Sequence, residues 1–173
     1  MMSDKTEEFL AVVNENDVAV GKKPRRLVHT QGLRHRSAHV LVFNSAGKLL
    51  IQLRGPSKDE YPLFWDVSVG GHVGPGETYE QAARRELDEE MGLKGEPRLL
   101  RKTTATERTG WEFTCLYELT TDQPVCPNRQ EIEKCEFAPP DRLLGEIRSG
   151  RRRATPALAS ALAFFLKQGV REK

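Results

Sequence analysis

Three glutamates, Glu86, Glu89 and Glu90, are packed into one short run of this chain. On a helix turning about 100° per residue they fall within an arc of roughly 100°. Carboxylates this close repel, each like-charge pair at three or four residues costing about 0.2–0.5 kcal/mol. A hard divalent cation reverses that sign, because Mg²⁺ prefers carboxylate and water oxygens in octahedral geometry. Ahead of the glutamates lie Gly70, Gly71, Gly74, Pro75 and Gly76, a stretch that can turn tightly and bring amides or carbonyls close to a ligand. An isolated Glu-Glu pair is most often a solvated helix face, and a lone glycine-rich loop is nearly as weak a signal. The two together, at fixed spacing, are far more specific.

The elements around the acids can be read from periodicity. Thr78 and Gln81 have capping-box spacing, Gly92 suits a helix end, and Ala83, Leu87 and Met91 form an apolar stripe, predicting a helix over about 78–91. Residues 11–20 read as a short hairpin around Asn14–Asp17. His39–Phe43 and Leu49–Leu53 read as strands joined by a turn at Asn44–Gly47. Trp65–Val69 alternates, placing Trp65, Val67 and Val69 on one face. Further strands are expected over 98–106 and 112–119, turning at Arg108–Gly110, and over 132–138, ending at Pro139-Pro140. One helix is expected over 141–148 and another from Thr155-Pro156, with an apolar stripe of Leu158, Leu162 and Phe165. This order predicts an α/β fold with a mixed sheet between helices.

A chain of 173 residues suits one domain with a real core rather than two. Residues 1–10 are expected to be a mobile tail and 11–173 a single domain. A formal net charge of +2 does not call for nucleic acid, and the run Arg151-Arg152-Arg153 reads as a solvated turn. Cys115, Cys126 and Cys135 are an odd set without CxxC spacing, which points to reduced thiols, with Cys115 and Cys135 as small core residues. The acidic N-terminus does not read as a signal peptide, and no apolar run reaches membrane-spanning length. A cytoplasmic location and no membrane partner are the expectation.

The run Gly71-His-Val-Gly-Pro-Gly-Glu77, then Arg85-Glu86-Leu87-Asp88-Glu89-Glu90-Met91-Gly92-Leu93, resembles the Nudix box across residues 71–93. The chain is identified on it as a member of the Nudix hydrolase family. The resemblance implies an α/β/α sandwich and a divalent cofactor, Mg²⁺ with Mn²⁺ as a substitute. It implies Glu86, Glu89, Glu90 and the Gly71 carbonyl as metal ligands, and a structural ion pair between Glu77 and Arg85. Glu86 would orient or deprotonate the attacking water. Glu131 would be the acid contributed by a later loop, with Glu133 and Glu112 as alternatives. The substrate would be a nucleoside di- or triphosphate or another nucleoside diphosphate derivative, cleaved at a phosphoanhydride. Phe64, Trp111 and Tyr117 are candidate base-stacking rings, each equally explained by packing.

Beyond the box, the order of elements is similar to the branch containing isopentenyl diphosphate isomerase. Arg54, Lys58, Tyr61-Pro62 and Trp65 are spaced like that enzyme's diphosphate-binding segment, implying Arg54 and Lys58 as phosphate ligands; Arg can fork onto two oxygens and Lys supplies a point charge. His29, His35 and His72, with Glu112, fall near the isomerase's metal ligands, although a structural or surface role is the expectation for these histidines. The isomerase's catalytic cysteine is replaced by Gly70, and the box acids that its helix mostly lacks are present. The sequence therefore reads as a hydrolase on an isomerase-like scaffold. Isomerase chemistry and a non-catalytic nucleotide- or RNA-binding module are the alternatives.

Overall fold

A computed structural model describes residues 7–169. Strands β1 (Phe9–Val13) and β2 (Ala19–Pro24) form a separate antiparallel hairpin, followed by a short helix α1 (Arg25–Thr30). Then come β3 (His35–Phe43), β4 (Leu49–Arg54), β5 (Trp65–Asp66), β6 (Val69–His72) and helix α2 (Tyr79–Met91). The chain continues through β7 (Arg98–Thr103), β8 (Glu112–Thr120), β9 (Ile132–Ala138), α3 (Pro140–Arg148) and α4 (Pro156–Gly169). Of the expected tail, Met1–Thr6 lie outside the described residues; Phe9 and Leu10 open β1, with Leu10 buried.

The main sheet is mixed, with β3 and β8 parallel over nine register pairs from His35–Glu112 to Phe43–Thr120. β7 flanks β8, β6 pairs with β3, and β4 carries β5 and β9, all antiparallel. β3 and β4 pair only at Phe43–Leu49 and then part. The Ser68 hydroxyl bridges the gap, accepting from Val42 N at 2.8 Å and donating to the Leu50 carbonyl at 2.6 Å. This divergence opens the sheet under the acidic helix.

Alternation along β3 divides the core. Ala38, Val40 and Val42 pack with Ala83, Leu87 and Met91 of α2, whereas Leu41 and Phe43 pack with Leu143, Leu158 and Leu162 of α3 and α4. The result is the expected α/β/α sandwich. One detail differs: Trp65 and Val67 face α4, but Val69 belongs to the α2 layer. The continuous strand over 65–69 is broken because Ser68 turns inward to make its bridging bonds. Helix α1 was not legible, since Arg25–Thr30 is too short to show a period and has no side-chain cap. The arginine run is only partly solvated: Arg152 is drawn in to Glu136 at 2.9 Å and Glu146 at 2.8 Å. With Trp65 and Lys134 these arginines line a cleft of about 500 Å³.

Candidate active site and histidine centre

Helix α2 begins with the expected capping box, Gln81 N to the Thr78 hydroxyl at 3.2 Å and Thr78 N to Gln81 Oε1 at 2.9 Å. It ends on Gly92 in the left-handed region. Arg85 and Glu77 form the expected pair at 2.8 Å, and Arg85 also donates to the His72 carbonyl at 3.0 Å. The loop is thereby tied to the helix. The same guanidinium donates to Glu86 at 2.6 Å and Glu89 at 3.1 Å, a positive charge already resting on the acids.

Glu86 and Glu90 are mostly buried, while Glu89 is exposed. A side chain on Gly71 would overlap the Glu86 carboxylate, so the glycine brings the loop backbone against that acid. Glu90 accepts from Gln52 Nε2 at 2.9 Å and from Gly70 N at 3.2 Å. Burial first, then repulsion from Glu86, pushes its carboxyl up to about 8 despite these bonds. Burial raises Glu86 as well, opposed by Arg85. Two crowded carboxylates whose charge burial opposes are a donor set that a hard cation would complete.

Lys58 and Glu131 are brought together as a direct ion pair, and Gly55 N donates to the Glu131 carbonyl at 2.8 Å. Lys58 is also close enough to favour ionisation of Glu90. Arg54 is engaged otherwise, donating to Asp66 at 2.8 Å and to the Glu60 carbonyl at 3.1 Å. Glu133 is exposed on β9, and Glu112 belongs to the cluster described next. Among the rings, Tyr117 is fully buried core, Trp111 carries the Arg34 guanidinium, and Phe64 stacks edgewise on Tyr61.

The histidines are not scattered. Ligand atoms of His29, His35, His72 and Glu112 all lie within 4.8 Å of one another. His29 Nε2 is 3.3 Å from His72 Nε2, and Glu112 Oε1 is 3.3 Å from His35 Nε2 and 3.5 Å from His72 Nε2. Tetrahedral zinc with nitrogen ligands has ligand–ligand edges of about 3.3 Å, so the spacing suits a transition metal. The outer nitrogens are held separately: His35 Nδ1 on the Leu33 carbonyl at 2.8 Å, His72 Nδ1 on Glu8 at 3.4 Å, His29 Nδ1 on Glu60 at 3.5 Å. Such anchors fix which nitrogen faces the centre. Burial disfavours charge on His72, but Glu112 and Glu8 outweigh it and raise the group to about 9. The same histidines hold Glu112 well below the usual carboxylate range against burial. The acids clustered around these imidazoles favour positive charge at the centre. β3–β8 register brings His35 beside Glu112, a contact no sequence spacing shows.

At Gly70 an added Cβ would meet His39 Cδ2 at 3.0 Å and Val67 Cγ2 at 3.3 Å. The imidazole of His39 would have to give by a few tenths of an ångström to admit a cysteine there. Sequence reading missed His39 and Gln52, although Gln52 gave a signal as the polar residue inside the apolar run Leu49–Leu53.

The profile of the NUDIX domain matches residues 33–158. A Nudix hydrolase of Deinococcus radiodurans is 38% identical over 175 residues, covering 99% of both chains. The crystal structure of DR0079 from Deinococcus radiodurans superposes with a TM-score of 0.79 at 36% identity, covering 90% of this chain and 98% of that one. The NUDIX domain of Shewanella oneidensis NrtR, complexed with ADP ribose, shares the fold with a TM-score of 0.61 at 16% identity, over 77% of this chain and 86% of that one. The chain belongs to the NUDIX domain family, whose hydrolases act on pyrophosphate bonds and generally use a divalent metal. Among the described residues no helix is long and apolar enough to cross a membrane.

Proposed function

We propose that residues 11–173 work as a Mg²⁺-dependent hydrolase domain that cleaves a phosphoanhydride in nucleoside di- or triphosphates or a related nucleoside diphosphate derivative in the cytoplasm. The observation that carries this reading is the pairing of buried Glu86 and Glu90 beneath a loop whose Gly71 leaves no side chain in the way. Glu86, Glu89, Glu90 and the Gly71 carbonyl would hold the metal. A bound Mg²⁺ supplies charge neutralisation of the diphosphate, in-line orientation and activation of a water. Glu86 orients that water and accepts its proton. Gln52 and Gly70 N hold Glu90 in place as a ligand. Lys58 binds a phosphate oxygen, which would free Glu131 from its ion pair to act as the late acid. Arg54 is left to brace the loop unless it exchanges Asp66 for phosphate. The Shewanella neighbour's ADP ribose is a nucleoside diphosphate derivative, which agrees with this substrate class at the level of fold.

A second metal centre at His29, His35, His72 and Glu112 is favoured by the convergence of their ligand atoms within 4.8 Å, with His35 Nδ1 bonded to the Leu33 carbonyl and the other outer nitrogens facing Glu60 and Glu8. Isomerase chemistry is disfavoured by the packing of His39 against Gly70. The test is incubation with nucleoside di- and triphosphates, nucleotide sugars, dinucleotides and isopentenyl diphosphate, with Mg²⁺ or Mn²⁺, resolving products by chromatography. Metal-dependent phosphoanhydride cleavage supports the reading. Interconversion of the five-carbon diphosphates, or binding without turnover, contradicts it.

A further inference from the structure

The two clusters are joined by three consecutive residues. Lys58 pairs with Glu131 beside the acidic helix, Asp59 takes Arg25 at 2.9 Å, and Glu60 lies 3.5 Å from His29 Nδ1. Arg25 and His29 stand four residues apart on α1, hence on one face of it, and hold adjacent acids of the same loop. Arg25 also reaches Glu8 at 3.5 Å, which in turn holds His72. The loop they grip is not relaxed: Tyr61 and Leu63 both have positive φ, at 49° and 58°. Non-glycine residues keep such conformations only where surrounding contacts over-determine them. Arg54 supplies part of that restraint through the Glu60 and Leu63 backbone, and the α1 pairs add to it.

We propose that Lys58-Asp59-Glu60 couples the histidine centre to the hydrolytic site, with Glu60 the positioning residue that fixes His29. This rests on the reading that the histidine centre takes a divalent metal. A metal held by the histidines would polarise the His29 ring, strengthen its electrostatic hold on Glu60 at 3.5 Å and so restrain the loop. Lys58, two residues before Glu60, is thereby kept beside the acidic helix, within reach of Glu131 or of a phosphate oxygen that replaces it. Without a metal, only the unpolarised His29 ring faces the exposed Glu60 carboxylate at 3.5 Å, and the loop is freer to let Lys58 swing away. Metal at one site would set phosphate recognition at the other.

The test uses the metal-stripped full chain and Co²⁺. Visible absorbance that is lost in His35→Ala assigns the ion to the histidine centre, and hydrogen exchange over residues 55–64 reads the loop. Co²⁺ is expected to slow exchange there in the wild type. Glu60→Ala is expected to keep the absorbance, weaken Co²⁺ binding about 10-fold or more, and leave the loop indifferent to the metal. Glu60→Gln, which retains an acceptor oxygen, should recover most of both effects. Loop exchange unchanged by Co²⁺ in a wild type with full absorbance overturns the coupling alone, as does a Glu60→Ala variant identical to wild type. Absence of any His35-dependent absorbance removes the metal reading and the coupling with it.

Discussion

The Glu86 carboxylate lies where a side chain on residue 71 would have to be. The absence of a side chain at residue 71 lets the loop backbone approach a mostly buried acid closely, as a site for a hard cation would need. Gly71→Ala should therefore force Glu86 aside. We expect kcat to fall about 100-fold, equivalent to about 2.7 kcal/mol, with little change in far-ultraviolet circular dichroism. Wild-type turnover in this variant would mean that Glu86 need not sit against the loop.

Gln52 supports Glu90 from the far side of the open sheet, donating also to the Ser68 carbonyl at 3.2 Å. Gln52→Leu keeps the volume and removes the donor. The apparent Mg²⁺ activation constant should rise about 10-fold or more, as for other partners that orient metal ligands, with smaller change in the substrate KM. A titration of activity against Mg²⁺ checks this.

Gly70→Cys restores the residue type found in the isomerase. Because the new Cβ meets His39 at 3.0 Å, we expect overpacking of about 1–3 kcal/mol and a melting temperature lower by a few degrees. No interconversion of the five-carbon diphosphates should appear. Its appearance would reassign the branch.

Asp17 is a hub: its carboxylate takes the Tyr79 hydroxyl at 2.9 Å, Arg36 at 2.6 Å and Lys102. Burial raises this carboxyl, but the three donors outweigh it and the net shift is downward. A depressed acid contributes stability above its unfolded pKa, and that contribution is lost as pH falls through the folded value. The wild type should therefore lose stability as pH drops below about 4. Asp17→Asn should be less stable by about 1–2 kcal/mol at pH 7, allowing for the half-exposed Lys102, and should flatten that acid limb. Urea melts from pH 3 to 7 measure both; parallel limbs would contradict the assignment.

The box and its helix were legible because helical period, capping chemistry and acid spacing are all local. Thr78, Gln81 and Gly92 act within a few residues of one another, so the sequence states their partners directly. The histidine centre was not legible in the same way. His29, His35, His72 and Glu112 come from a short helix, two neighbouring strands and a parallel partner, and only the register of β3 against β6 and β8 makes them meet. Ser68 shows the same limit: its hydroxyl replaces a ladder bond between parting strands and breaks the alternation that periodicity expects over 65–69. Arg54 and Lys58 stand four residues apart and read alike as cations, yet one braces a loop and the other faces Glu131.

The most direct test is steady-state hydrolysis of the best substrate by Glu86→Gln beside the wild type, across Mg²⁺ concentrations. The amide keeps the shape of the carboxylate and removes its charge and basicity. A folded variant with kcat reduced by 10²-fold or more is predicted. A folded variant with unaltered, metal-dependent turnover would contradict the assignment of Glu86, and with it the placement of the chemistry on helix α2.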